Sequence, residues 1–306
     1  MLDQFIFATN VTAPILILLI LGIIFRRRGF IDPHFINIAN SFVFNVTLPC
    51  MLFFSIASTP LAQSTNIPLL LFGVLSTLAS ILLFWLLSLT LIQQDKRGVF
   101  IQGAFRGNLG IIGIALVFNA YGNEMLAVAS LYMALIAILD NPISVLLLQQ
   151  KGEKPYRNIL TNPIIIAVVA GLMFSRFAIT PPFFIIETGQ YLAQMTLPLA
   201  LICVGGSLYW QDFQSHHKEV IWATICKLLI MPFLGTVAAI HLGFSGKELG
   251  LIYLMLSSPT AVSSYIMAKK MTEHGMLAAE IIALTTASST LIITLGLLLL
   301  QISGYL

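Results

Sequence analysis

Residues 102–113 read QGAFRGNLGIIG, and they interrupt a long apolar segment. Four glycines weaken a helix, and an arginine and an asparagine are costly in the middle of a lipid-embedded segment. Residues 257–264 read SSPTAVSS at a similar place in a later apolar segment, where Pro259 removes a backbone donor. Non-helical backbone survives at membrane depth only where it lines a cavity or is buried in protein. The two stretches therefore predict two broken helices, although close helix packing at Gly103 and Gly107 would explain the first stretch alone.

The composition around these stretches is that of a membrane protein. The chain has 306 residues, of which 58% are hydrophobic and 9% are charged, whereas about 25% of residues are charged in a typical soluble domain. Apolar runs of about twenty residues, the length that crosses a bilayer, separate short charged clusters. The sequence therefore predicts an all-α polytopic membrane protein. Ten transmembrane helices are predicted, over residues 5–25, 35–57, 67–92, 99–121, 125–149, 159–177, 183–209, 220–243, 249–270 and 277–302.

Smaller counts argue against several other classes of partner. The net charge of +3 is small and dispersed, so nucleic acid is not a predicted partner. The three cysteines lie inside apolar runs, where they are interpreted as small apolar side chains rather than disulfides or metal ligands. His216 and His217 have no further ligands at metal-binding spacing, and a solvated loop is the favoured interpretation. We predict no metal site and no cofactor.

The basic residues predict the orientation of the chain in the membrane. One set of alternate loops holds Arg176 and Lys247. The other set holds eleven basic residues: Arg26, Arg27, Arg28, Lys96, Arg97, Lys151, Lys154, Arg157, Lys218, Lys269 and Lys270. Because Lys and Arg accumulate in cytoplasmic loops, the larger set is predicted to be cytoplasmic. This interpretation gives a multi-pass protein of the cell (inner) membrane with both termini on the extracytoplasmic side.

An internal repeat relates the two halves of the chain. Residues 12–58 align without a gap on residues 161–207 at a shift of 149 positions, and 15 of the 47 pairs are identical. The identical pairs include Pro14 with Pro163, Gly22 with Gly171, and Thr47-Leu48-Pro49 with Thr196-Leu197-Pro198.

The number of helices in each copy predicts how the two halves are oriented. Each copy holds five predicted helices, an odd number, so the second copy inserts upside down. Residues 1–150 and 151–306 are therefore predicted to be two inverted five-helix repeats, the usual plan of secondary transporters. Interruptions at corresponding places in two such halves, here helices 4 and 9, indicate a transport site. Duplication in a membrane protein of another function stays open as the alternative.

The chain resembles the auxin efflux carrier (PIN-like) family, as a small bacterial member. The resemblance covers most of the chain and rests on these residues: Leu48-Pro49, Leu197-Pro198, Asn108 with Gly113, and Pro259 followed by Ala268-Lys269 and His274. It implies a scaffold of helices 1, 2, 6 and 7, a moving core of helices 3–5 and 8–10 in which helices 4 and 9 cross, and a homodimer formed through the scaffold. It also implies small organic anions as substrates. Two features depart from the family: Ala115 stands where members often have proline, and the loop at residues 151–158 is far shorter than in plant carriers.

Four polar side chains are predicted to lie near the middle of the bilayer: Arg106, Asn108, Asp140 and Lys227. Counted from the cytoplasmic helix ends at 1.5 Å per residue, each lies about 10–15 Å deep. Ionisable residues at this depth are functional candidates, and two positive charges against one negative charge suit a carboxylate substrate. A helix-capping role for Arg106 and interhelical hydrogen bonds for the serines are the structural alternatives. The predicted substrate-binding residues are Arg106, Asn108, Gly110, Ser258, Pro259, Thr260, Ser263 and Ser264.

Asp140 and Asn141, together with Lys227, are the predicted site of ion coupling. Their position resembles that of the paired Asp and Asn of sodium/proton antiporters with an inverted-repeat plan, which often carry a Lys on the helix corresponding to helix 8. A buried carboxylate or amine can exchange protons near neutral pH. A structural ion pair between helices 5 and 8 is the alternative. Pro49 and Pro198 are interpreted as kinks that line the path, or as simple shaping of their helices.

These observations favour a secondary active or facilitative transporter of a small organic anion, an auxin-like carboxylate or a dicarboxylate, that works by alternating access. Its expected partners are that anion and the lipid bilayer, with proton or sodium coupling left open. A sodium/proton antiporter, or a sodium-coupled organic-anion symporter of the same fold, is the nearest alternative. An intramembrane enzyme is not predicted, because the chain has no HExxH motif, no nucleophile elbow and no facing aspartate pair. An ATP-driven pump is disfavoured because no phosphate-binding GxxxxGKS or GxxxxGKT loop is present.

Overall fold

The computed structural model describes residues 2–60, 65–148, 162–208 and 217–306. Within these ranges the secondary structure is helical, and no strand is present beyond one isolated β-bridge. The helices are α1 (Leu2–Arg27), α2 (Pro33–Ala57), α3 (Ile67–Leu91), α4 (Arg97–Phe105), α5 (Leu109–Tyr121), α6 (Asn123–Leu148), α7 (Pro163–Arg176), α8 (Phe183–Ser207), α9 (His217–His241), α10 (Gly246–Ser257), α11 (Ser263–Met271) and α12 (Gly275–Ile302). Four residues used in the predictions above, Lys151, Lys154, Arg157 and His216, lie outside the described residues.

Among the described helices, six are long and apolar enough to cross a membrane: α1, α2, α3, α6, α9 and α12. Two shorter helices, α5 and α7, are also apolar. Large apolar side chains on the long helices are exposed, for example Leu75 at 64% and Leu291 at 66%. Extensive apolar exposure of this kind is expected where a surface faces lipid rather than water. The prediction of an all-α, polytopic membrane protein is confirmed.

Three helices begin where an aspartate or asparagine caps the first turn. The capping bonds are Phe35 N–H to Asp32 Oδ1 (2.7 Å), Leu69 N–H to Asn66 Oδ1 (3.1 Å) and Ile164 N–H to Asn162 Oδ1 (2.9 Å). A proline follows within the first two positions of each of these helices, α2, α3 and α7. Proline is well suited to that position because its missing N–H would have no partner in the helix anyway.

Two helices widen into a π turn immediately before a proline. In α2 the turn covers Val43–Thr47 and precedes Pro49, and in α9 it covers Cys226–Ile230 and precedes Pro232. A proline inside a helix removes one backbone hydrogen bond and clashes with the preceding turn. Single π turns inside α-helices are often found at functional sites. The turn in α9 contains Lys227, one of the predicted site residues.

Glycines bring α1 against α8 and α2 against α7. A Cβ atom at Gly22 would collide with the carbonyl oxygen of Ile202, and one at Gly171 would lie 3.1 Å from the carbonyl oxygen of Phe53. The shift of 149 positions that relates Gly22 to Gly171 also relates Phe53 to Ile202. The repeat in the sequence is therefore matched by a repeated backbone contact in the structure.

The remaining helices surround the two interruptions. α4 contacts α3, α6, α9 and α12, while α10 contacts α5, α9 and α12. α1 and α2 border this group through α5, α6 and α12. The two interruptions, between α4 and α5 and between α10 and α11, consequently lie inside the protein rather than on its surface.

Candidate functional site

The two interruptions meet and pair through their backbones. An isolated antiparallel β-bridge joins Gly107 to Thr260. Its two hydrogen bonds are Asn108 N–H to the Pro259 carbonyl oxygen (2.7 Å) and Ala261 N–H to the Arg106 carbonyl oxygen (3.0 Å). These bonds satisfy backbone groups that a broken helix would leave unpaired inside the membrane. The predicted breaks are therefore present, and we call the place where they pair the crossing, formed by residues 106–108 and 258–261.

Thr260 ties the crossing to two neighbouring helices. Its hydroxyl donates to the carbonyl oxygen of Gly103 in α4 at 2.7 Å. Its N–H donates to the hydroxyl of Thr285 in α12 at 3.3 Å. Since all of these groups are buried, a lost bond would not be replaced by water.

We expect Thr260→Val to lower the unfolding temperature of the purified protein in detergent. The substitution keeps the shape of the side chain but removes the donor to Gly103, and a buried hydrogen bond of this kind contributes about 1 kcal/mol. Thr260→Ser keeps the hydroxyl and should unfold close to the wild-type temperature. If Thr260→Val unfolds at the wild-type temperature, Thr260 does not hold the crossing together.

Gly107 leaves no room for a side chain at the crossing. A Cβ atom there would lie 2.6 Å from Ser258 Oγ and 3.2 Å from Lys227 Nζ. The Ser258 hydroxyl is itself held by a 2.8 Å hydrogen bond to the Met255 carbonyl oxygen. A side chain at position 107 would therefore have to displace the Ser258 hydroxyl from this position.

Lys227 lies at the crossing, and its ammonium group binds the C-terminal ends of two helices. Its side chain is fully buried, and Nζ donates to the carbonyl oxygens of Phe105 at 3.1 Å and Leu256 at 3.4 Å. These carbonyls belong to the last turns of α4 and α10, where the helix dipole concentrates negative charge. The prediction from sequence gave Lys227 a role in ion coupling and missed this contact, because counting residues gives the depth of a side chain but not its direction.

Asp140 shares a small internal cavity with Lys227. The residue is 5% exposed, and its Oδ1 atom has no hydrogen-bond partner among the described residues. Thr77 and Tyr132 are the other polar side chains that line the cavity. The volume that the centre of a water molecule can occupy in it is about 10 Å³. This is about the space that one water molecule requires. The carboxylate and the ammonium group thus face one internal space large enough for a single water.

Arg106 is held between two helices that flank the crossing. Its Nη2 atom donates to Asn141 Oδ1 of α6 at 2.6 Å, and its Nη1 atom lies 2.9 Å from Met267 Sδ of α11. The residue is 8% exposed. The structure therefore joins Arg106, predicted to bind substrate, to Asn141, predicted to act in ion coupling. This contact links α6 directly to the first interruption.

Asn108 provides an unpaired donor at the crossing. It is buried, and its Nδ2 atom has no partner among the residues that the structure describes. The hydroxyl of Ser264 is buried without a partner in the same part of the chain, whereas the hydroxyl of Ser258 bonds locally. Ser263 and Gly110 are partly exposed. Because buried polar groups are normally hydrogen-bonded, the free donor of Asn108 is suited to a ligand.

A larger cavity of about 750 Å³ lies between α1, α2 and α8 on one side and α5 and α6 on the other. Its volume is typical of a small-molecule site. Gln190, Gln194 and Pro198 are in its lining, whereas Pro49 is buried and is not. Glu124 also lines it and is paired with Lys247, with 2.7 Å between Nζ and Oε1. No described residue of the crossing is in this lining, so the cavity and the crossing are separate spaces.

Comparisons with known proteins identify relatives along the whole chain. The family described as "Membrane transport protein" matches residues 7–155 and 151–297. The chain is 25% identical to a Rhizobium meliloti protein named "Putative malonate transporter", over 97% of each chain. It is 24% identical to an "Uncharacterized transporter" of Methanocaldococcus jannaschii, over 94% of this chain and 96% of the relative. A further "Uncharacterized transporter", from Methanothermobacter thermautotrophicus, is 22% identical over 86% of this chain and 89% of its own.

Proposed function

We propose, from the premise that this chain belongs to the auxin efflux carrier (PIN-like) family of membrane transport proteins, that it carries a small organic anion by alternating access. The family is one of multi-pass membrane transporters, not of enzymes, and the apolar helices agree with it. One relative is named for malonate, which favours a dicarboxylate as substrate, and an auxin-like carboxylate is the second candidate. The proposal includes both ion-driven and facilitated movement, and it requires no cofactor, metal or nucleic acid.

The charge arrangement at the crossing is the observation that carries this proposal. The C-terminal ends of α4 and α10, which carry the negative end of the helix dipole, face Lys227. The N-terminal ends of α5 and α11, which carry the positive end of the dipole, lie just after the two breaks. Helix N-termini attract anions. The free amide donor of Asn108 and the charge of Arg106 lie in the same interruption. We assign the substrate site to Arg106, Asn108, Gly110, Ser258, Pro259, Thr260, Ser263 and Ser264.

An inverted repeat of ten transmembrane helices is the architecture that we propose for this mechanism. In it, α4 with α5 form the fourth helix and α10 with α11 form the ninth, so each half of the chain carries one break. The equivalent glycine contacts, Gly22 with Ile202 and Gly171 with Phe53, support this pairing of the halves. Residues 1–150 and 151–306 are then the two repeats.

The two groups of helices have different proposed roles. We assign α1, α2, α7 and α8 to a scaffold and the helices around the crossing to a moving core, with a homodimer formed through the scaffold. The large cavity between α8 and α5 lies along this division, and Pro198 and Pro49 belong to the scaffold side. The positive-inside rule supports extracytoplasmic termini in the cell membrane.

Ion coupling through Asp140, Asn141 and Lys227 is a second element of the proposal. Asp140 and Lys227 share one small cavity, and Asn141 binds Arg106 at the substrate site. A proton or sodium ion at Asp140 could therefore act on the substrate site through one side-chain contact. The same observation favours a sodium/proton antiporter, or a sodium-coupled symporter, as the alternative function.

Uptake into proteoliposomes tests the proposed function. Labelled malonate, acetate and indole-3-acetate would be offered with no gradient, with a proton gradient and with a sodium gradient. We expect saturable uptake of at least one carboxylate. Sodium-driven proton movement without uptake of any carboxylate would establish the antiporter instead.

Asn108→Ala and Arg106→Ala should each reduce carboxylate uptake by roughly ten- to a hundredfold. A hydrogen bond to a charged group contributes about 1.5–3 kcal/mol, which corresponds to that range. His34→Ala is the matched control, because His34 is exposed at the start of α2 and away from the crossing. Wild-type uptake by Asn108→Ala would remove Asn108 from the substrate site.

Asp140→Asn should separate coupling from binding. The amide cannot exchange a proton or carry the charge that holds a cation, so we expect uptake to lose its dependence on the imposed gradient while carboxylate exchange across the membrane continues. Initial rates with and without each gradient would measure this. An unchanged gradient dependence would exclude Asp140 as the coupling residue.

A further inference from the structure

The large cavity carries a charge at one place in its described lining. Glu124 is the charged residue there, and the other polar groups among the described lining residues are amides and hydroxyls, such as those of Asn119 and Ser55. A carboxylate without a counter-charge at that place would repel a carboxylate substrate. An anion will consequently enter the cavity most readily when the charge of Glu124 is balanced.

Lys247 supplies that counter-charge from the first turn of α10. Its Nζ atom donates to both carboxylate oxygens of Glu124, at 2.7 Å to Oε1 and at 2.6 Å to Oε2. An ammonium group has three N–H donors, and within the described ranges Glu124 is the side chain that accepts from this one. One donor of Lys247 is therefore left for a further anion. The sequence analysis used Lys247 only to orient the chain.

The ion pair is open to solvent and is easily exchanged. The side chain of Lys247 is 52% exposed and that of Glu124 is 64% exposed. Exposed ion pairs contribute little to stability, because water screens the charges and both side chains lose conformational freedom. A carboxylate from solution can therefore replace Glu124 at Lys247 without a large loss of stability. The carboxylate of Glu124 marks the place where that ligand would bind.

The two helices that carry this pair both begin at the same edge of the cavity, which we call the rim. Glu124 lies in the first turn of α6 and Lys247 in the first turn of α10. The N-terminal end of a helix carries partial positive charge. Glu248, the acidic residue of the first turn of α10, accepts a 2.6 Å hydrogen bond from Asn66 Nδ2 and is not in the described lining. The helix dipoles and Lys247 thus attract an anion to the rim, and Glu124 opposes them.

We propose that Lys247 binds a carboxylate of the transported anion at the rim of the large cavity, in competition with Glu124. This inference rests on the proposed function and adds to it a charged residue outside the substrate site assigned above. Glu124 is the internal competitor, so it limits how tightly Lys247 holds the anion. Weak binding of this kind suits a residue that meets a solute on its way to another site, since the solute must be released again.

The charge of the ligand determines the size of the expected effect. Malonate carries two negative charges near neutral pH and acetate carries one, so the ammonium group of Lys247 attracts malonate more strongly. Added salt screens interactions between exposed charges. The preference for malonate over acetate should accordingly fall as the ionic strength rises. Lys247 is in this way a residue that favours dicarboxylates.

Two neutral substitutions test the proposal. Lys247→Gln leaves Glu124 without its partner and should raise the KM of malonate uptake at least about fivefold, since local charge changes association rates by about tenfold or more. Glu124→Gln frees the ammonium group and should lower that KM by about twofold or more. Both substitutions remove the same ion pair, so a pair that only held α6 against α10 would give changes in the same direction. Initial rates of uptake into proteoliposomes at low ionic strength would measure the KM.

Two further neutral substitutions control for overall surface charge. Glu248→Gln removes a charge next to Lys247 in the sequence but keeps the acceptor for Asn66 Nδ2. Arg176→Gln removes the other basic residue predicted on the extracytoplasmic side, which is not in the described lining. Both variants should have a KM close to that of the wild type. A wild-type KM in Lys247→Gln, or a higher KM in Glu124→Gln, would overturn the proposal.

Malonate binding to the purified protein separates this inference from the proposed function. Calorimetry in detergent should show weaker binding by Lys247→Gln and tighter binding by Glu124→Gln. Binding with this dependence but without uptake of any carboxylate would keep the rim site and reject the proposed transport. Uptake of malonate that neither substitution alters would reject the rim site and keep the proposed function. Absence of both binding and uptake of malonate would reject the rim site together with dicarboxylate transport.

Discussion

Lys227→Met should abolish carboxylate transport and markedly lower the unfolding temperature of the protein. The substitution keeps most of the side-chain volume but leaves the carbonyl ends of α4 and α10 without the ammonium group that they share. It also leaves the Asp140 carboxylate buried opposite an uncharged side chain. Removing one member of a buried charge arrangement typically costs about 3–5 kcal/mol. Thermal unfolding in detergent and uptake into proteoliposomes would measure the two effects.

The double substitution Lys227→Met with Asp140→Asn distinguishes a structural loss from a functional one. If burial of an uncompensated carboxylate causes the destabilisation, the double variant should regain a large part of the lost unfolding temperature. Transport should stay absent, because the crossing still lacks the charge that serves both helix ends. A Lys227→Met protein that transports at the wild-type rate would contradict the role of Lys227 at the crossing.

Gly107→Val should also eliminate transport, for a steric reason. Two methyl groups cannot be accommodated where a single Cβ atom would already lie 2.6 Å from Ser258 Oγ. A valine would displace the side chains of Ser258 and Lys227 from the crossing. Separation of the two breaks would in addition cost the backbone hydrogen bonds between Asn108 and Pro259 and between Ala261 and Arg106. Unpaired backbone groups inside a membrane cost several kcal/mol each. We expect uptake below detection, with an intermediate loss for Gly107→Ala.

A control for Gly107→Val is available on a neighbouring helix. Ala238→Val adds the same branched side chain on the exposed face of α9, where the structure leaves space. It should transport and unfold like the wild type. Retained uptake by Gly107→Val would mean that the two breaks do not need to touch for transport.

The sequence predicted those features of the site that residue type and spacing determine. Glycines in one stretch and Pro259 in another indicated where the helices break, since these residues disfavour helix regardless of their neighbours. Arg106, Asp140 and Lys227, for which counting along the helices predicts mid-membrane depth, are buried in the structure. Each of these inferences depends on distance along one chain segment.

Contacts between helices could not be predicted in the same way. A membrane helix is apolar on most faces, so hydropathy does not reveal which face turns toward which neighbour. The sequence therefore gave no sign that Arg106 binds Asn141 or that Lys227 reaches both Phe105 and Leu256. It also predicted path-lining roles for both Pro49 and Pro198, whereas the described cavity has Pro198 alone of the two in its lining.

The backbone pairing at the crossing also constrains how the chain matures during synthesis. The N–H of Asn108 and the carbonyl of Arg106 find their partners in Pro259 and Ala261, about 150 residues later in the chain. At ribosomal rates of about 5–20 residues per second, those partners emerge on the order of ten seconds after the first break has been made. During that interval the first break lies in the membrane without its backbone hydrogen-bond partners. Insertion of the segment that carries Pro259 and Ala261 therefore completes the backbone pairing of the first break.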